Sequence, residues 1–562
     1  MKLKWTTMLA VLLCASLLLA ACSSGSGGSG KEEGKGNAAA NEVANAGELF
    51  NPVGEYPIAK EQMTLKMFAP QSAAIENLET NEFTKFVEEK TNIKIKWDVV
   101  PEGAIEEKKQ LMMASGDYPE VILAGNFSKA DQMKYGQQGV FVPLNDLIDK
   151  YAPNIKQAMS EIPYLKDAMT TPDGNIYTIP KVNECYHCTY ASKMWVNQSW
   201  LDKLGLKMPE TTEEFYQMLK AFKEKDPNGN GKADEVPLTT AGKKDMWGGG
   251  LDAYLMNAFI YNDANTYMYM DNGDIKFSPN QEAWREGLRF INKLYAEGLI
   301  DKASFTQNAD AVKQIGNKPD NVMGAVSTAL ISYVYNPNEL TPRHKEYVTV
   351  PPLKGPNGVQ LTGYFVGAGN GQFAITNKAT PEQQIAAIRF ADYLYTEEAT
   401  VYTSMGKEGD GWHKAKEGEK TADGQPARFK QTPKPGVSQV QNGTWQELGI
   451  MKMTNKLRDS FAVPDDMFAE DGYGLRLRNE SKKYEPFAKP EMAFPADVFI
   501  AAEDASLVAQ LQTSISDYVE SNMAQFITGS KSLDKDWDAY VKGFDGLQLP
   551  KYLEIYSNAI KK

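Results

Sequence analysis

The sequence predicts an α/β fold built on parallel strands. Three observations predict it: short segments in which apolar and polar residues alternate, helical periodicity in the stretches between them, and turns too short to hold anything else. Residues 61–69, EQMTLKMFA, alternate and read as the first strand. NEFTKFVEEKTN then reads as a helix with Phe83, Phe86 and Val87 on one face. Ile93 to Val100 alternates again as a second strand, EEKKQLMMASGD is a helix that ends near Gly116, and YPEVILAG is a short buried strand closed by Gly125. Ligands of such sheets bind at the carboxyl ends of the strands, an edge that here includes Gly125, Asn126 and Phe127.

A second unit follows KMWVNQSWLDKLGLKMP. Thr211-Thr212-Glu213-Glu214 is a capping box, in which the Thr hydroxyl and the Glu carboxylate satisfy orphan backbone donors, so a helix starts there and runs to about Lys225. Ser278 to Gly298 is amphipathic, with Trp284, Leu288, Ile291 and Tyr295 on one side. Gln372 to Thr376 is a strand. Thr380-Pro381 opens another helix with Pro at its first position, whose face is Ile385, Ile388, Ala391 and Tyr395. No internal repeat is present.

At 562 residues the chain has room for two to four domains or large lobes. Its 42% hydrophobic and 24% charged residues exclude a disordered chain or a multi-span membrane protein. A net charge of −13 argues against nucleic acid, which needs clustered Lys and Arg.

The first residues read as a targeting segment. Lys2 and Lys4 precede an uncharged apolar run over 8–21, too short to span a bilayer but suited to a signal peptide. Leu19-Ala20-Ala21-Cys22 looks like a bacterial lipobox, which predicts cleavage of 1–21 and a lipid (palmitate) anchor on Cys22. The sequence that follows is rich in Ser and Gly and poor in bulky apolar residues, so 22–55 is expected to be a flexible tether. An acidic body does not adhere to anionic lipid by charge, so the anchor must be covalent.

Cys185 and Cys188 remain once Cys14 leaves with the leader and Cys22 takes lipid. Such a pair forms a small-loop disulfide, stays reduced, or takes part in metal or redox chemistry. With three His in the chain (His187, His344, His413) and no second CxxC, a four-ligand zinc site is short of ligands. No Walker A loop, HExxH or G-x-S-x-G elbow is present.

The sharpest local signal is Asp226-Pro-Asn228-Gly-Asn230-Gly-Lys232-Ala-Asp234-Glu235. Acids and amides fall at loop positions 1, 3, 5 and 9 with Gly at 6, the spacing by which an EF-hand loop converges oxygens on calcium. Position 12 is Pro237 rather than Glu, and Glu235 is placed to supply the missing carboxylate. The Lys232 carbonyl takes position 7. The expected ion is a structural calcium held by Asp226, Asn228, Asn230, Lys232, Asp234 and Glu235.

Several aromatics sit in polar or Gly-rich contexts: Tyr186 and Tyr190 around the Cys pair, Trp247 in KKDMWGGG, Tyr364 in LTGYFVGAG and Trp412 in KEGDGWHK. Sugar rings have an apolar C–H face and a polar rim, so flat aromatics beside amides and carboxylates suit them. With Asn126 and Trp195, these five are the candidate ligand contacts.

The lipobox, LMMASGDYPEVI, YGQQGVFVPLNDLIDKYAPNI, NIYTIP, SWLDKLGLKMPETTEEFYQML, DPNGNGKADEVP, LYAEGLIDKASF and FITGSKSLDKDWDAYVKGFDGL, in that order, resemble the family 1 extracellular solute-binding proteins. These are lipoprotein receptors of ABC importers, and the chain looks most like their large oligosaccharide-binding members. The alginate-binding relatives carry calcium in a loop of the same type. Gln198-Ser199 departs from the Arg-Asp of many relatives, and the Cys185–Cys188 insert is a second departure. The resemblance implies two discontinuous α/β lobes joined by hinge strands (type II), closing on a ligand between them: 56–196 and 369–497 in the first, 197–368 and 498–562 in the second. It implies a monomeric, non-enzymatic oligosaccharide receptor, lipid-anchored outside a Gram-positive cell and serving ABC permease subunits. A peptide receptor on the same fold, or a tethered carbohydrate-active enzyme using carboxylates such as Asp465-Asp466 or Glu470-Asp471, is the alternative.

Overall fold

The computed structural model describes residues 46–71, 75–336, 342–432, 441–445 and 448–561. The leader 1–21, Cys22 and the tether as far as residue 45 lie outside the described residues. The described residues form one compact unit organised around two sheets.

The first sheet has five strands in the order 93–101, 63–71, 121–127, 371–375, 179–180. Met63–Gln71 runs parallel to both Ile93–Pro101 and Val121–Phe127, as strand–helix–strand connections require. The helices between them are Glu82–Thr91, capped by the Asn81 side chain, and Ile105–Ser115, ended by Gly116 at φ 74°. Alternation sends Leu65, Met67 and Leu123 to one face and Phe68 and Ile122 to the other, so both faces are packed. Gly371–Ile375 is antiparallel to both its neighbours. The three strands expected to be parallel are so, and this fourth strand makes the sheet mixed. This strand arrives from the other sheet and so enters from the opposite end.

The second sheet has the order 347–350, 194–197, 323–327, 236–239. Met194 and Val196 face one core, while Trp195 faces the other, against the Arg476 guanidinium. The expected capping box is present at Thr211/Glu214, and the helix expected to open at Thr380-Pro381 does so, with a capping box of its own at Thr380/Gln383. The amphipathic helix Glu282–Ala296 buries Trp284, Leu288 and Ile291 against the long helix Ala502–Thr528, whose last carbonyls accept from Asn292.

Three boundaries differ from expectation. The tether ends before residue 55: Phe50 is 5% exposed in the first core, and Arg389 donates to the carbonyls of Asn51 and Pro52. An aromatic and two carbonyls that meet a buried guanidinium fix this stretch. Trp195 already belongs to the second sheet, so the first crossing precedes it. Residues 473–484, expected with the first lobe, pack on the second: Leu477 joins its core, Arg476 donates to the Tyr347 carbonyl, and Tyr484 Oη to that of Val350.

The buried Lys193 sits on the first crossing. Its Nζ donates to the His187 carbonyl at 2.8 Å and to that of Tyr190. Burial lowers its pKa to about 7, a shift that Glu480 opposes.

Two outcomes are expected. Arg389→Ala leaves the Asn51 carbonyl without its donor and the Pro52 carbonyl with the Glu55 N–H alone, and should cost about 1–3 kcal/mol in urea unfolding; an unchanged midpoint would show that the guanidinium does not hold the 46–60 stretch. For Lys193 the native pKa lies below the unfolded value, so between them the unfolded chain binds the extra proton. Stability therefore rises with pH from about 7 upward. Lys193→Met should show a flatter rise than wild type over that window, and identical slopes would contradict the shift.

Candidate functional site

A cleft of about 830 Å³ lies where the two sheets' units meet. Tyr164 and Glu184 line it from the first lobe, and Trp247, Asp263 and Gln512 from the second. Residues 364–369, on the way back to the first sheet, and 493–498, before the long helix, form its floor and edge.

Trp247 owes its place to the glycines after it. A Cβ on Gly248 would lie 2.2 Å from the Ala191 carbonyl, and Gly248 and Gly250 have φ of 67° and 92°. The backbone therefore presses against the first crossing, and the Trp247 carbonyl is held by the Ala329 N–H and the Thr328 hydroxyl. The indole is left 39% exposed, more than any other aromatic among the described residues. An exposed large aromatic in a concave site is an unusual use of apolar surface in water.

Tyr364 also lines the cleft, half-buried, with its N–H on Tyr261 Oη. Behind it Tyr190 and then Tyr186 continue an edge-to-face row, with centroids 6.2 and 5.5 Å apart. Tyr190 is buried and Tyr186 donates to Glu485, so neither is among the lining residues. Trp195 and Trp412 lie elsewhere. Trp195 is a core residue whose Nε1 donates to the Thr328 carbonyl. Trp412 packs on Phe429 beside Phe86 and Tyr402, in a separate groove of the first lobe. Asn126 sits at the end of its strand at φ 48°, where its Oδ1 accepts from Asn370 and Gln372 and ties two strands together outside the cleft lining.

Sequence reasoning missed Tyr164, Phe494, Gln512 and Tyr556. Phe494 carries a related signal, an aromatic in a short loop, here followed by Pro495 where Trp247 is followed by glycines. Gln512 and Tyr556 are helical, and only packing decides which helical face meets a cleft.

Cys185 and Cys188 are disulfide-bonded, the first preceding and the second within the short helix Tyr186–Thr189, and both line the cleft. His187 lies beside them, and burial pushes its imidazole pKa down to about 3. The bond removes both thiolates as metal ligands.

The acidic loop lies apart from this, after the helix Thr212–Glu224. Asp226 accepts from the backbone N–H groups of Gly229, Asn230 and Gly231, which curls the loop. Asn228 and Asn230 both turn their side chains to Asp234. Glu235 Oε1 is buried with no hydrogen-bond partner, and burial raises this carboxyl's pKa, with Asp226 and Asp234 adding to the rise. An orphaned carboxylate oxygen facing two more carboxylates is a group a cation would satisfy. The donor set is all oxygen, as a hard divalent ion requires, once each amide turns its oxygen inward.

Residues 70–401 match the bacterial extracellular solute-binding protein family. The fructooligosaccharide ABC transporter substrate-binding protein FusA of Streptococcus pneumoniae is 29% identical over 99% of this chain and 98% of its own. Solved structures of FusA, one in complex with kestose and one of an EF-hand mutant with fructo-nystose, superpose with a TM-score of 0.71 at 27% identity, over 88% of this chain and 98% of theirs. The alginate-binding protein AlgQ2, solved without calcium ion, gives 0.66 at 26% identity over 90% and 99%. The family match spans more than half the sequence and the shared fold extends over nearly all the described residues, so the chain belongs to the bacterial extracellular solute-binding proteins, non-enzymatic components of transporters.

Proposed function

We propose that this protein captures an oligosaccharide in the cleft between its lobes and delivers it to the membrane subunits of an ABC importer, held at the cell surface by lipid on Cys22. The observation that carries the reading is Trp247, an indole forced outward by a glycine run into a cleft also lined by Tyr364, Phe494 and polar side chains. Flat rings accept the C–H face of a sugar, and Asn265 and Gln512 offer amides to its hydroxyls. The full-length likeness to a fructooligosaccharide-binding protein supports the same class of ligand.

Calorimetry against neutral plant and bacterial oligosaccharides, with the ligand recovered and sized afterwards, tests this. The expected result is saturable binding with the oligosaccharide intact; shortened products would make the protein an enzyme. Trp247→Ala should weaken binding about 5- to 150-fold, the equivalent of about 1–3 kcal/mol for one large side chain. Unchanged affinity in a folded variant would remove Trp247 from the site.

The same proposal gives the loop 226–235 a structural calcium, held by Asp226, Asn228, Asn230, Asp234, Glu235 and the Lys232 carbonyl. Its support is the loop spacing and the orphaned Glu235 oxygen. The ion would neutralise the three carboxylates and fix the loop. A ligand that binds only the folded state stabilises it by about 2.7 kcal/mol at 100 times Kd. Chelation should therefore lower the Tm, and Asp226→Ala should abolish the difference. An identical melt after verified metal removal would contradict it.

A further inference from the structure

We propose that the cleft selects uncharged oligosaccharides and rejects acidic ones. This rests on the reading that the cleft takes an oligosaccharide.

None of the described residues that line the cleft is Lys, Arg or His. Four cations that come near it are held by the protein's own groups. Arg458 donates to the Glu184 carbonyl and to Asn183, and is itself largely buried. Lys129 pairs with Asp497 at 3.1 Å and donates to the Ala168 carbonyl. Lys243 pairs with Glu520 at 3.1 Å and donates to the Ala264 carbonyl and Tyr267 Oη. Lys193 is fully buried on backbone carbonyls. Lys456 and Lys489, which follow or precede lining residues in the chain, are exposed and outside the lining.

What charge the cleft does carry is negative. Glu184 and Asp263 both line it. Asp263 accepts from the N–H groups of Asn265, Thr266 and Tyr267 and from the Thr266 hydroxyl. Glu184 accepts from the Asn455 N–H. These carboxylates hold loops in place and present their field to whatever enters.

A uronate carboxylate brought here would lose water, gain no cation and meet charge of its own sign. A buried charge without a partner is strongly disfavoured, and repulsion grows as water leaves. A neutral sugar pays neither cost. Its hydroxyls need amides and hydroxyls, which Asn265, Thr266 and Gln512 supply, and its faces need flat apolar surface.

The test is isothermal titration of the intact protein with matched probes: a galacturonate trisaccharide, the same trisaccharide fully methyl-esterified, and neutral trisaccharides including kestose. Esterification removes charge and leaves the ring skeleton. The expected result is that neutral probes bind, that the galacturonate trisaccharide is at least about tenfold weaker than its methyl ester, and that the neutral affinities do not change with salt. A galacturonate trisaccharide that binds as tightly as the neutral set overturns charge selection while leaving the oligosaccharide reading intact. Binding by none of the probes overturns the oligosaccharide reading, and this proposal falls with it.

Discussion

The cleft depends on a small set of backbone hydrogen bonds that hold the crossing segments side by side. The Val182 and Glu184 N–H groups donate to the carbonyls of Met451 and Met453, and the Phe365 N–H donates to that of Thr189. Buried backbone groups must be paired, and here each segment finds its partner in another segment. The disulfide turn, Tyr364 and the 455–458 stretch are thereby fixed in one place. Arg458 adds a side-chain clamp on the Glu184 carbonyl. The aromatic row from Tyr186 to Tyr364 then stacks along the same junction. Hinge, disulfide and ligand wall are one structure rather than three.

That arrangement explains what could be read from the sequence. The strands and helices were legible because each alternates or repeats within ten residues, and because Asn81 and Thr380 in the first lobe and Thr211 in the second mark helix starts chemically. Trp247 was legible because WGGG has a local reason: glycines allow close approach of one chain to another, and the indole beside them is displaced outward. Trp195 and Trp412 looked similar in composition but lack that geometry. One lies mid-strand with core on its own side of the sheet, and the other pairs with Phe429 from a hairpin partner. The lobe boundaries were the least legible. Residues 473–484 join the second lobe through Arg476 and Tyr484, whose partners lie more than a hundred positions away.

The acidic loop and the cleft use charge in opposite ways. In the loop, three carboxylates converge and leave an oxygen of Glu235 orphaned, an arrangement that asks for a cation. In the cleft, Asp263 and Glu184 are satisfied by the protein's own donors, so their charge shapes the field without demanding an ion. The first arrangement suits stability of the second lobe, and the second suits discrimination among sugars.

The most direct measurement of the central claim is a crystal structure of the protein with a neutral oligosaccharide found by titration. The account predicts sugar density between the lobes, with one ring against Trp247 and another group in contact with Tyr364, and with no cation bridging the ligand to the protein. Density confined to the groove beside Trp412, or on the outer surface of either lobe, would contradict it.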